Sequence, residues 1–241
     1  MTRLSRRSVL RASGCLALAT TIAGCTGSSD SGSTTNVGIP GVEDGKIVDH
    51  HAFANAHSDQ LASRSGTLEW ARTSLDPETA DPKTHTLWTV RVEGNRVRAV
   101  VTGRALISGN GADQFEFYFG DDTTSYRVKR DGTWETRSND SPPMSRSELT
   151  GKSSLEGASM RKVGTEMAYG EKLHRFSNVA HQPDGERVEW SSVQALVDEN
   201  ALGYTFQRTL DGKGKNNRQF DEWHVTNLGS TTVERPGWVE G

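Results

Sequence analysis

Three sets of side chains in this sequence have types and spacings that could do chemistry. The first is a thiol. Cys25 closes the tetrapeptide Ile22-Ala23-Gly24-Cys25, directly after a modest apolar stretch from Ala12 to Ala23. A thiol becomes a nucleophile when deprotonated, and Cys15 is the only other cysteine. The second is a histidine cluster. His50 and His57 are seven apart and share a face if the segment is helical, with His51 beside them. No Cys, Asp or Glu completes a metal-ligand spacing there, so the expectation is a solvated or partly buried helix face. The third is an aromatic alternation, Phe115, Phe117 and Phe119, with Trp88, Val90 and Tyr126 nearby in sequence. Alternation at period two puts these side chains on one face of strands, where they form either a sheet core or the wall of an apolar ligand site.

The elements before Cys25 decide how the thiol is read. Ser5-Arg6-Arg7-Ser8-Val9-Leu10-Arg11 is a short basic region, and no acid interrupts the apolar stretch behind it. Basic start, short apolar middle and small residues before a cut make a signal peptide. A spanning helix needs ~20 consecutive apolar residues, and this stretch is too short and too rich in Ser, Thr and Gly. Arg6 and Arg7 resemble the twin-arginine export motif, with Val9 and Arg11 in place of the usual Phe and Lys; that route carries folded proteins. Ile22-Ala23-Gly24-Cys25 resembles a lipobox, which implies a glycerol lipid on the Cys25 sulfur and Cys25 as the first mature residue. Two chains anchor stably where one binds reversibly. The expectation is a protein on the outer face of a cell membrane, with residues 1–24 as leader, 25–38 as lipidated tether and 39–241 as one domain. Thr26 to Gly38 (TGSSDSGSTTNVG) is too polar to bury surface and reads as that tether.

Composition narrows the function classes. The leader holds four arginines (Arg3, Arg6, Arg7, Arg11) and no acid, so a formal charge of −3 for the whole chain becomes −7 from Cys25 onward. A nucleic-acid binder is usually basic, so no nucleic-acid partner is expected. The acidic balance and the excess of Arg over Lys are compatible with a salt-loving source. With Cys15 lost in the leader and Cys25 lipidated, the domain has no disulfide and relies on its core. The sequence has no Gly-x-Ser-x-Gly elbow, no His-Glu-x-x-His and no phosphate loop. Asp211-Gly-Lys-Gly-Lys lacks the alternating acids of a calcium loop. Neither catalysis nor a metal or other cofactor is expected. Asn139-Asp140-Ser141 is a glycosylation sequon, with Pro142 directly behind it.

Asp49 reads as the N-cap of a helix from about His50 to Ala62, with Phe53, Ala56, His57 and Leu61 as its apolar stripe. The period then changes to two. Residues 84 to 137 read as an antiparallel meander, with Asp131-Gly132 as a strong hairpin turn. Pro142-Pro143 breaks it, a short helix lies between Met144 and Gly157, and strands resume near 172–179, 188–197, 202–210 and 219–228. The fold class is α+β: a single curved antiparallel β-sheet, half-open and barrel-like, with one or two covering helices. Trp238 is expected to fold back and close one end of the core, with Pro236 fixing the turn.

The leader, the lipobox, the tether, Gly41-Val42-Glu43-Asp44-Gly45 and the terminal Thr232-Val233-Glu234-Arg235-Pro236-Gly237-Trp238-Val239 together resemble a group of uncharacterised haloarchaeal lipoproteins. These look like distant relatives of the LolA and LppX lipoprotein folds, in which a curved sheet and a lid of helices enclose an apolar cavity for lipid. The resemblance implies a membrane-anchored lipoprotein that binds an apolar or lipid-like ligand. An envelope interaction module with a filled core and a protein partner is the alternative, and a tethered hydrolase is a third. Replacing Cys25 with Ser is predicted to release the protein from membranes or leave it unprocessed, read by fractionation. A Cys25→Ser variant found at membranes at normal mature size would contradict the anchor.

Overall fold

Past residue 65 the apolar period is two, and the chain has little choice but to build sheet. A computed structural model describes residues 38–76, 78–79, 81–103, 111–138, 141–181, 188–212 and 218–239. Arg6, Arg7, Cys25 and Asn139 lie outside the described residues. The elements are β1 (Val42–Glu43), β2 (Lys46–Ile47), α1 (His50–Arg64), β3 (Gly66–Leu75), β4 (Pro82–Glu93), β5 (Arg96–Gly103), β6 (Gln114–Phe119), β7 (Thr124–Arg130), β8 (Thr133–Ser138), α2 (Arg146–Leu149), α3 (Lys152–Glu156), β9 (Arg161–Ala168), β10 (Glu171–His181), β11 (Val188–Val197), β12 (Gly203–Gly212) and β13 (Arg218–Thr226). Among the described residues no helix is long and apolar enough to cross a membrane.

The strands form one antiparallel, 13-stranded curved sheet in the order β1-β2-β9-β10-β11-β12-β13-β3-β4-β5-β6-β7-β8. It consists of two meanders, β3 to β8 and β9 to β13, with the short β1–β2 hairpin added at the β9 edge. The last strand pairs with the first long one, from Thr226 opposite Thr67 to Arg218 opposite Leu75. The expected meander and its Asp131-Gly132 turn are present, with both turn residues at positive φ as the tight hairpin requires. β1, β2 and β9 are strands that sequence reasoning did not foresee.

Register turns the period-two pattern into continuous rows on the inner, helix-covered face. One row runs Phe206, Trp223, Trp70, Trp88, Val101, Phe115, Val128. The next runs Val225, Leu68, Val90, Ala99, Phe117, Tyr126. Trp70 and Trp88 stack at 4.9 Å, and Phe206 stacks on Trp223 at 5.5 Å. Cross-strand aromatic pairs of this kind contribute beyond the area they bury.

Three helices cover this face, a long α1 and the single-turn α2 and α3. Asp49 caps α1 by accepting a hydrogen bond from the Ala52 N–H at 2.9 Å. Its buried stripe is Phe53, Ala54, His57 and Leu61; Ala54 takes the place expected of Ala56, which is half-buried. Ser145 and Glu148 cap α2 reciprocally. The C-terminal tail does fold back, but not onto an end of the core. Val233 and Val239 are buried with Tyr118 on the outer face of β6, and half-buried Trp238 packs against them. The Trp238 Nε1–H donates to Glu116 Oε2 at 3.1 Å, and the Val233 N–H to Glu93 Oε2 at 2.8 Å. The tail goes there because β6 carries Glu116 and Tyr118 outward, and these need a cover.

His57 fastens the layers together. It is fully buried, which corrects the expectation of a solvated or partly buried face. The Gly203 N–H donates to its Nδ1 at 3.0 Å, so Nε2 carries the proton and donates to the Thr150 carbonyl at 3.0 Å. One neutral ring thereby ties α1 to the start of β12 and to the α2–α3 junction. Burial lowers its pKa to about 4, the hydrogen bond to Thr150 opposing this in part. The folded value lies below the unfolded one of about 6.5, so this stabilisation is complete above pH 6.5 and is lost as pH falls toward 4. The fall amounts to about 3 kcal/mol at one pKa unit per 1.4 kcal/mol. Denaturant midpoints between pH 7 and pH 4 are predicted to show this slope in the parent and to lose its His57 part in His57→Gln. His57→Ala, which orphans a buried donor and a buried acceptor, is predicted to cost about 3–5 kcal/mol at pH 7.

Candidate functional site

Each of the three central strands carries an aromatic and a charged residue two positions apart: Trp70 and Arg72 on β3, Phe206 and Arg208 on β12, Trp223 and Asp221 on β13. Residues two apart on a strand face the same way. Register sets Asp221 opposite Arg72 on one side and Arg208 on the other. The apolar row thus gives way, along the same inner face, to a charged one.

Asp221 is buried and accepts four hydrogen bonds. Trp70 Nε1 donates to Oδ1 at 2.6 Å, Arg72 Nε to Oδ1 at 3.2 Å, Arg72 Nη2 to Oδ2 at 3.1 Å and Arg208 Nη2 to Oδ2 at 2.6 Å. The Arg72 guanidinium lies 5.2 Å from the Trp70 ring and 5.6 Å from the Trp88 ring, within cation–π range. Two guanidiniums share the Asp221 carboxylate, and a second carboxylate, Glu148, lines the same cavity. Arg208 Nε is a buried donor with no partner among the described residues. Above the trio, between the sheet and α2–α3, is a cavity of about 160 Å³ lined by Trp70, Arg72, Met144, Glu148, Ser153, Ser154 and Arg208. The Glu148 carboxylate is engaged by the Ser145 N–H and hydroxyl, both at 2.7 Å.

A second polar cluster joins the end of α1 to two turns. Arg64 Nη1 donates to Asp198 Oδ2 and Nη2 to Glu171 Oε1, both at 3.0 Å, and Nη2 also reaches the Tyr204 hydroxyl at 3.0 Å. Tyr204 donates to Glu171 Oε2 at 2.7 Å. Burial and then this bond to Glu171 push the Tyr204 phenol up to about 12, while the same bond holds the Glu171 carboxyl below its ordinary range. Burial raises Asp198, against hydrogen bonds from the Leu202 and Asn200 N–H groups. A cleft of about 270 Å³ lies beside the cluster. Its charged groups are mutually satisfied, so the cluster reads as a lock between α1, the β9–β10 turn and the β11–β12 turn.

Trp88, Val90, Phe115, Phe117, Phe119 and Tyr126 fall on one face, as expected. The structure packs all six into the main core, none more than 9% exposed. Phe115 and Phe117 lie 5.9 Å apart, and Phe117 and Tyr126 6.1 Å. Of the six, Trp88 comes nearest the charged row, through its stacking on Trp70. His57 has both ring nitrogens bound to backbone, which leaves neither for a proton relay or a ligand. His51 pairs with Glu156, on α3. Among the described residues no group of three or more His, Cys, Asp or Glu is placed to hold a metal ion. Sequence reasoning missed the Arg72–Asp221–Arg208 trio, although a charge two positions from a core aromatic on three strands was its signal.

No protein-family model and no curated protein sequence matches the chain. Among solved structures it is similar to LprF from Mycobacterium bovis, at 14% identity and a TM-score of 0.41, over 79% of this chain and 97% of that one. It is also similar to the lipoprotein LppX from Mycobacterium tuberculosis, at 14% identity and a TM-score of 0.40, over 76% and 97% of the two chains. A DUF1329 family protein from Desulfovibrio piger matches at 10% identity and a TM-score of 0.30, over 74% and 90%. Likenesses this distant carry no argument about what the chain does.

The trio generates a stability prediction. Asp221→Ala leaves two guanidiniums without their shared anion and is predicted to cost about 3–5 kcal/mol. Glu135→Ala, which breaks the half-exposed pairs with Arg130 on β7 and Arg137 on β8, is predicted to cost under about 1 kcal/mol. Denaturant unfolding of both variants measures the contrast.

Proposed function

We propose that the chain is a lipoprotein, held on the outer face of a cell membrane by a lipid on Cys25. Its sheet-and-helix domain, in this reading, binds a lipid-like ligand with an anionic head. It acts as a binding protein rather than an enzyme, and no cofactor takes part. The observation that carries the reading is the cavity under α2–α3. Its floor joins an aromatic row to two guanidiniums that share one carboxylate, and one buried guanidinium N–H there has no partner among the described residues. That combination suits a molecule with an apolar body and a charged end.

At about 160 Å³ the cavity is smaller than the roughly 300–1,000 Å³ of sites that enclose a whole ligand. It fits a head group. A second reading, an envelope interaction module with a filled core, is favoured by the close packing of Trp88, Val90, Phe115, Phe117, Phe119 and Tyr126.

Titration with a fluorescent fatty acid and with its uncharged alcohol separates the two. The ligand-binding reading predicts that Arg208→Met weakens the acid about 10- to 100-fold, as loss of a charge-assisted hydrogen bond does, and leaves the alcohol nearly unchanged. No binding of either compound by the parent favours the filled-core module.

A further inference from the structure

We propose that the outer face of β9 is the side of the domain that rests on the membrane. Two of the large apolar residues left in water stand along this strand: Val163 (51% exposed) and Met167 (73%). Val163 and Met167 alternate with half-buried Lys162, Gly164, Glu166 and Ala168, so they share one side, whereas Tyr169, in the turn beyond, stacks on buried Tyr204 at 5.3 Å. Exposed Val48 lies just beyond β2, which pairs with β9 at Lys46 and Arg161. Among the described residues that is the whole of the β2–β9 pairing, so β9 from Val163 onward is a sheet edge. An apolar stripe on an open edge is a hazard unless something covers it.

Two observations name the cover. The first is where the chain leaves the domain. Ile39 is buried in the core and Gly38, one residue before it, is exposed. Ile39 accepts from the Val42 N–H at 3.1 Å, and Val42 begins β1, which pairs with β2 and through it with β9. The chain toward Cys25 therefore departs from this edge of the sheet. The twelve residues from 26 to 37 span at most about 45 Å when extended and roughly 20 Å as a coil, so a lipid on Cys25 holds this edge nearest the bilayer.

The second observation is charge. Lys46, Arg161, Lys172 and Arg175 are exposed around the stripe, with Lys172 directly opposite Met167. The acids beside them are Glu43, Asp44, Asp49 next to Val48, Glu166 at 3.8 Å from Arg175, and Glu171, which pairs with Arg64. Exposed Lys and Arg side chains next to apolar ones, on a domain whose overall charge is negative, suit an anionic lipid surface. The inference rests on the Cys25 anchor.

The test uses the full-length processed protein, whose one native thiol is taken by lipid, with a polarity-sensitive fluorophore on Met167→Cys. A second protein carries it on Thr136→Cys, exposed on β8 at the opposite edge of the sheet. Both are reconstituted in vesicles of a zwitterionic lipid mixed with an anionic one. The expected result is co-sedimentation of both, with blue-shifted emission at 167 and several-fold stronger quenching there by a lipid-borne quencher. Arg161→Glu with Lys172→Glu is expected to remove that difference without loss of co-sedimentation. Co-sedimentation with equal quenching at 167 and 136 overturns the orientation and leaves the anchor standing. Failure to co-sediment overturns the anchor, and the orientation with it. Self-crosslinking at 167 without lipid quenching assigns the stripe to a second copy of the chain.

Discussion

A single neutral imidazole holds the covering helices against the sheet. His57 takes one backbone N–H from β12 and gives one proton to the backbone between α2 and α3, so it can do this only while uncharged. Beside it, the rings of His57 and Trp223 lie 5.4 Å apart. Trp223 fits only because two of its neighbours lack a side chain. A Cβ on Gly203 would stand 2.8 Å from the Trp223 ring, and one on Gly151, which also has a positive φ of 77°, 3.2 Å from it. Since α2 and α3 are one turn each, they cannot hold a position by themselves. Their place above Arg72 and Arg208 follows from this contact with α1 and from Leu149 and Leu155, both fully buried in the core.

The inner face is graded as a consequence of strand geometry. With side chains repeating every second residue, β3, β12 and β13 each deliver an aromatic to one row and a charge to the next. Burying Asp221 would be costly alone. Four donors and two cations offset that, and both guanidiniums line the cavity. The six residues read as an apolar ligand face are the packed part of this gradient, and the polar end is where the cavity lies. The outer face is used differently: the tail covers β6 there, through the Glu116 carboxylate, which also accepts from Arg127 at 2.8 Å.

Much of the fold was legible because it is local. Alternation at 84–137, the Asp131-Gly132 turn and the Asp49 cap each depend on neighbours in sequence, and all are present. β9 was missed because its apolar residues, Val163 and Met167, point outward and Gly164 interrupts them, so the pattern resembles a loop. The pairing of β13 with β3 joins residues some 150 apart, which no periodicity encodes. The trio was hidden for the same reason: Arg72 and Asp221 are 149 residues apart and meet only through that pairing. His57 was visible on a helix face, but its depth depends on Thr150 and Gly203, 93 and 146 residues away.

Native mass spectrometry of the protein released from its own membrane tests the central claim most directly. The account predicts a population carrying a bound anionic, lipid-like molecule in addition to the lipid on Cys25. It also predicts that Arg72→Gln combined with Arg208→Met removes this molecule while the covalent lipid remains. Protein that emerges with the Cys25 lipid and nothing else would contradict the account and leave a sheet with a filled core.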